Sequence, residues 1–236
     1  MEPLLRKAPA APKRAFITLE GIDGCGKSTQ ARLLVAALEL AGYDVLALRE
    51  PGGTAISEKI RALLLDPENA DMSDTCELLL YEAARSQLVH EKVAPALAVG
   101  RVVVCDRFYD STTAYQGHAN GMDPAMVAQA NSLAVGACRP TLTLVFDISA
   151  DEAAKRAAGR TVDRMEAKGS SYQERVAKGF RALAAAEPAR VKLIPARGDV
   201  AHVFHGTCEA VGAFGLVIPR EAAQAAFLAE AARAKR

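Results

Sequence analysis

The sequence predicts an α/β fold, a five-stranded parallel sheet with helices on both faces. Three observations carry that expectation. Short apolar runs alternate with segments of helical periodicity over about 200 residues, the pattern of repeated strand–helix–strand crossovers. Several strands read as continuous apolar runs, as in Arg101-Val102-Val103-Val104-Cys105, which marks burial on both faces. A glycine-rich loop, Gly21 to Ser28, joins the first such run to the first helical segment. Right-handed crossovers then leave the carboxyl ends of all strands on one edge, where ligands of open α/β sheets sit.

Taken in order, residues 1–13 hold three prolines and three basic residues without periodicity and are expected to be a flexible leader. Phe16, Ile17 and Leu19 form the first strand. A helix from Lys27 to about Ala41 places Leu34, Ala37, Leu38 and Ala41 at i, i+3, i+4, i+7, and Gly42 stops it. Val45–Leu48 is the second strand and ends in Arg49-Glu50-Pro51-Gly52-Gly53-Thr54. Helices are expected over 56–65 and, as one long element, 74–99, closed by Gly100. The third strand, 101–105, delivers Asp106-Arg107-Phe108. A helix near 124–136 and a strand at 142–147 follow. In residues 151–168 Arg156, Arg160 and Arg164 recur every four positions, as a basic helical face or mobile lid. A helix near 172–186, a strand near 191–195 and a helix at 200–214 complete a domain spanning 14–214, and an Ala-rich helix is appended over 215–236.

Composition narrows the function. The 236 residues are 50% hydrophobic, enough for one substantial core, and the net charge is +1 with no long single-sign run. A broad electrostatic surface for nucleic acid or membrane is therefore not expected. Five cysteines without paired spacing (Cys25, Cys76, Cys105, Cys138, Cys208) point to a reducing compartment and no zinc site. With no apolar run near 18 residues and no signal-type start, a soluble cytoplasmic protein is expected.

The chemistry starts at Gly21, four residues, Gly26-Lys27-Ser28, which fit G-x-x-x-x-G-K-[ST] in its strand–loop–helix setting. Glycines let backbone N–H groups close on a phosphate, and the helix starting near Lys27 turns its positive end to the anion. Lys27 is expected at the β- and γ-phosphates, with Ser28 on Mg²⁺. Asp106, at the end of a buried strand, suits the same Mg²⁺, and Arg107 suits a phosphate. No N-K-x-D stretch reads guanine, and the chain is short for a motor ATPase, so transfer of a γ-phosphoryl group to a small acceptor is the expectation. A kinase for a different small acceptor and a non-catalytic nucleotide-binding protein are the alternatives.

Four separated stretches, Glu20-Gly21-Ile22-Asp23-Gly24-Cys25-Gly26-Lys27-Ser28-Thr29, Arg49–Thr54, Asp106–Gly117 and Asp163-Arg164-Met165-Glu166, closely resemble thymidylate kinase over about residues 14–214. The resemblance implies the P-loop nucleoside monophosphate kinase fold, Mg²⁺-dependent transfer from ATP to dTMP giving dTDP, and a homodimer. It implies that Gly21 through Thr29 bind ATP and that Asp23 meets the acceptor 3′-hydroxyl. Arg49 and Arg107 would clamp the acceptor phosphate, Tyr81 would stack on thymine, and Arg85 would reach its O4. Ser111, Thr112 and Gln116 fall among the acceptor-binding positions, Thr112 at the pyrimidine edge, and Tyr115 would crowd the sugar 2′ position. Because the loop positions Ile22, Asp23, Gly24 and Cys25 are not basic, the transition-state cation is expected from the lid, Arg160 first and Arg156 or Arg164 otherwise, as in bacterial members. Cys25, where a small inert residue is common, and the tail after residue 215 depart from the pattern.

Overall fold

A computed structural model describes residues 15–157, 159 and 163–233. Its sheet is five-stranded and parallel throughout. β1 (Phe16–Glu20) lies in the middle between β3 (Val102–Asp106) and β4 (Leu142–Asp147), with β2 (Val45–Arg49) and β5 (Val191–Pro195) at the edges. Register aligns Leu19 and Arg49 with Asp106, and Asp147 with Pro195. Acidic and basic strand ends thus gather on one edge.

The sheet faces fill as the continuous apolar runs require. On one side Ile17, Leu19, Val104 and Leu144 pack with Leu33, Leu34 and Leu38 of α1 (Lys27–Leu40), and with Val176 and Phe180. On the other, Phe16, Val103 and Cys105 meet Leu88, Val93 and Phe108. Each large apolar side chain taken fully out of water contributes about 1.5–3 kcal/mol.

Side-chain caps start α2 (Ala55–Leu65) and α3 (Asp74–Leu88): Thr54 accepts from the Ser57 N–H and Ser73 from the Cys76 N–H. The single helix expected over 74–99 is instead interrupted. α3 passes into a π-helical turn at Val89–Val93 before α4 (Ala94–Ala98), which carries Pro95, a residue without the N–H that a regular ladder needs. After β3 the chain turns into α5 (Tyr109–Thr112), continued by π-helical turns over Thr113–Ala119, so the segment bearing Ser111 through Gln116 is helical. α6 (Pro124–Val135) and α7 (Ala150–Ala157) follow. α8 (Ser170–Ala186) lies so close to the 109–119 segment that a Cβ at Gly179 would stand 2.8 Å from the His118 Cβ.

After α9 (Val200–Ala213), α10 (Arg220–Arg233) folds back on α1. Ala222 and Ala226 are buried, Arg32 pairs with Glu230, and the Val217 N–H donates to the Tyr43 hydroxyl at 3.1 Å. The expected leader, residues 1–13, lies outside the described residues.

Candidate functional site

The loop between β1 and α1 enters a cleft of about 680 Å³ along the carboxyl edge of the sheet. Asp23, Gly24, Cys25, Gly26, Lys27, Ser28 and Thr29 line one end. Gly26 stands at φ 93°, a conformation open to glycine, directly before the first turn of α1. Gly24 is held close as well, since a Cβ there would lie 2.2 Å from the carbonyl oxygen of Ala153 in α7. Gly21 and Ile22 are not lining residues; their carbonyls accept from Arg107 Nη1 (3.0 Å) and Lys27 Nζ (3.5 Å).

Arg107 is the hub. Its backbone sits at φ 70°, an uncommon conformation for a residue with a side chain, fixed by its N–H to Leu19 O. The guanidinium donates to Gly21 O, to Ser111 Oγ (3.0 Å), to Asp23 Oδ1 (2.6 Å) and to the Tyr115 hydroxyl (3.1 Å). Asp23 also pairs with Lys27 at 3.3 Å. Burial opposes its ionisation, but Arg107 and Lys27 outweigh that and hold its carboxyl below the usual carboxylate range. Burial pushes the Tyr115 phenol upward, so it keeps its proton and donates to Asp23 Oδ2 at 3.4 Å.

Ser28 donates to Asp106 Oδ2, while the buried Oδ1 of the same carboxylate has no partner among the described residues. A hydroxyl beside an acid with an unused oxygen, at the mouth of a phosphate loop, offers the hard oxygen donors that suit a cation such as Mg²⁺. The described residues hold no group of three His, Cys, Asp or Glu able to bind a metal unaided.

Away from the loop the cleft is lined by Tyr81, Arg85, Thr112 and Gln116, with Tyr115 next to Asp23. Arg85 is 1% exposed. Its Nε donates to Glu50 (2.8 Å), Nη1 to Glu82 (2.5 Å) and Asn131 (3.2 Å), and Nη2 to Thr112 Oγ1 (3.0 Å). Of the five N–H groups of a guanidinium, one on Nη2 is left over. Burial would lower the pKa of this cation, but Glu50 and Glu82 overcome it and raise it. Burial in turn pushes the Glu50 carboxyl up to about 7 against the pull of Arg85.

Arg156 and Arg164 do not share a helical face. α7 ends at Ala157; Arg156 lines the cleft and donates to Ala196 O at 2.9 Å. Arg160 lies outside the described residues. Arg164 falls in a turn, buried, donating to Leu64 O (2.8 Å) and paired with Glu77 at 2.7 Å. It is not a lining residue of the cleft, and the spacing of four along the sequence does not continue past the end of α7.

Other residues enter that sequence reading did not assign. Arg61 lines the cleft beside Arg49, and both donate to the Pro51 carbonyl (2.8 and 3.0 Å). Arg49 also grips Glu58, whereas Arg61 has no ion pair among the described residues. In the sequence Arg61 is one charge on a helix, three after Glu58, with nothing local to single it out. Glu20 is wholly buried, accepting from the Phe108 N–H (2.8 Å) and Ser111 Oγ (2.6 Å); burial, helped by Asp110, raises its pKa to about 8. The signal for it was an acid closing a wholly buried strand of Phe16, Ile17, Thr18 and Leu19. Asp147, the last residue of β4, pairs with Arg181 at 2.9 Å.

A family profile described as thymidylate kinase matches residues 19–205. A thymidylate kinase of Syntrophotalea carbinolica is 46% identical over 197 residues, covering 80% of this chain and 91% of its own length. One from a Synechococcus species is 50% identical over 190 residues, covering 80% and 89%. The crystal structure of thymidylate kinase from Ehrlichia chaffeensis superposes with a TM-score of 0.68 at 33% identity, covering 85% of this chain and 99% of that one.

Proposed function

The chain belongs to the thymidylate kinase family, which phosphorylates dTMP to dTDP with ATP, and we propose how its cleft divides that task. One observation carries the reading: a phosphate loop and a donor-bearing aromatic pocket open into a single cleft, with Arg107 between them. Gly21 through Thr29 hold ATP, Lys27 reaching the transferred phosphate. Asp106 and Ser28 would hold Mg²⁺, which when bound would neutralise charge on the donor phosphates. Arg107, Arg49 and Arg61 hold the acceptor phosphate, in keeping with the fit of guanidinium to phosphate. An oxygen of that phosphate attacks the γ-phosphorus as the bond to the bridging oxygen of ADP breaks, so the protein supplies position and charge rather than a covalent nucleophile.

Asp23 takes the acceptor 3′-hydroxyl, and Tyr115 crowds the 2′ position. Ser111 steadies Arg107 from the acceptor side. Tyr81 stacks on the base, and the remaining Arg85 N–H meets O4. The lid's Arg160 supplies charge in the transition state, with Arg156 second because it already lines the cleft. Arg160→Ala should lower kcat strongly with little change in KM for dTMP; a loss confined to KM transfers the role to Arg156.

An acceptor panel with ATP and Mg²⁺ tests the whole assignment. The expected order is dTMP, then dUMP lower by about 1–3 kcal/mol for one methyl, with dCMP and UMP far behind. Phosphorylation of dCMP or UMP as efficient as that of dTMP overturns the thymine pocket.

We also place the enzyme in the cytoplasm as a homodimer. α3 packs on both α2 and α6, and Ile56, Leu63, Leu79, Met126 and Leu133 on these helices are exposed, Leu133 by 88%. Light scattering checks the dimer. No helix among the described residues is long and apolar enough to cross a membrane.

A further inference from the structure

We infer that Glu77 sets the acceptor-base selectivity by locking the side-chain amide of Gln116 with its oxygen toward the base; this rests on the acceptor pocket proposed above. Glu77, Tyr81 and Arg85 stand at i, i+4 and i+8 on α3, one face of the helix. Opposite, Thr112 and Gln116 are four apart on the helical segment after β3. Two hydrogen bonds join the elements as rungs, Arg85 Nη2 to Thr112 Oγ1 at 3.0 Å and Gln116 Nε2 to Glu77 Oε1 at 2.7 Å, with Tyr81 between them on α3.

Gln116 lines the cleft and Glu77 does not, so the carboxylate stands behind the amide. Glu77 is 1% exposed and is also met by Arg164 (2.7 Å), Lys168 (3.2 Å) and Asn120 Nδ2 (3.4 Å). Burial opposes its ionisation, but Gln116, Lys168 and Arg164 outweigh it and hold the carboxyl below its ordinary range. An ionised carboxylate only accepts, so the nitrogen of Gln116 must face it, and the amide oxygen is the end left for a ligand. Among the described residues no group donates to that oxygen.

The pocket then offers an N–H from Arg85 and an acceptor from Gln116. A uracil-type ring answers with a carbonyl O4 beside an N3–H. Cytosine reverses both, an amino group beside a bare N3, so donor meets donor and acceptor meets acceptor. Selectivity therefore depends on Glu77 as much as on Arg85. An amide at position 77 can donate or accept, which frees Gln116 to turn over.

The test measures kcat/KM for dTMP and dCMP, with ATP and Mg²⁺, in the parent, Glu77→Gln, Gln116→Ala and the double variant. Glu77→Gln should narrow the dTMP/dCMP ratio about tenfold or more, with KM for ATP within about twofold of the parent. Gln116→Ala should narrow it similarly, and the double variant should add nothing further, the mark of two residues acting as one unit. If folded Glu77→Gln loses rate on both acceptors equally, Glu77 only supports the fold and the inference fails. It fails too if the two losses add. Should Glu77→Gln not fold, Glu77→Gln with Arg164→Met removes the buried charge and its partner together and takes the same test. A parent without dTMP preference overturns the pocket itself, an outcome separate from an unchanged ratio in the variant.

Discussion

The two ends of the cleft handle charge in opposite ways. At the base end the cation is satisfied by the protein: Arg85 is enclosed by Glu50, Glu82, Asn131 and Thr112, with one N–H spare. At the phosphate end cations outnumber their acids. Arg61 rests on a carbonyl, Arg49 on the half-exposed Glu58, and Lys27 and Arg107 share Asp23. A neutral ring brings no charge, so its pocket must be balanced beforehand to survive burial. A phosphate brings its own charge, so its pocket can hold cations in loose pairs that the ligand replaces. The base end is built for shape, and the phosphate end for charge not yet present.

The sharpest way to break this contrast is Arg85→Ala. It should cost both ends of the ledger at once: kcat/KM for dTMP falls, and about 3–5 kcal/mol of stability is lost because Glu50 and Glu82 are left buried without a counterion. Thermal unfolding should drop on the order of ten degrees. An unchanged melting point would show that the base end is not pre-balanced.

Lys27→Ala should do the reverse. Turnover should fall by about 10²–10³, as when a positioned transition-state cation or donor is removed, with melting within a few degrees of the parent. A large loss of stability in this variant would make Lys27 as structural as Arg85.

Glu20 sharpens the comparison through pH. Its folded pKa of about 8 lies above the ordinary carboxylate value, so the folded state holds the proton more tightly than the unfolded chain. Stability from this group is then full below the ordinary value and declines as pH rises toward 8. Glu20→Gln removes the titration. The melting temperature of Glu20→Gln relative to the parent should therefore climb between pH 5.5 and pH 8, a change of a few kcal/mol at most. A constant difference across that range would place an ionised Glu20 under Ser111 and Phe108 throughout.

The smallest effect is expected at Glu58. Its pair with Arg49 is about half exposed, and such pairs contribute about 0.2–1 kcal/mol. Glu58→Ala should melt within about two degrees of the parent, and only KM for dTMP should shift, since Arg49 loses a competitor for phosphate. A fall of ten degrees would mean the phosphate end is braced like the base end.

Much of this was legible in the chain by itself. Continuous apolar runs, glycines at fixed spacing and a helix period of four are local patterns, so five strands, their order along the chain, the phosphate loop and the strand-end Asp106-Arg107 could all be read in advance. The family resemblance extended the reading to Tyr81, Arg85, Tyr115 and Gln116, all of which line the cleft. Tertiary structure alone decided which charges meet. Arg164 looked equivalent to Arg156 by spacing, yet α7 ends between them, and Arg164 turns inward to Glu77, far away along the chain. Nothing local singles out Arg61, and only the packing of α2 sets it beside Arg49 over the Pro51 carbonyl. Glu20, Glu50, Glu77 and Glu82 looked like ordinary acids, and their partners Ser111, Gln116 and Arg85 became neighbours only when the sheet edge and two helices closed together. Periodicity is a property of adjacent residues, whereas the pairing of buried charges depends on distances that exist only after the chain has folded.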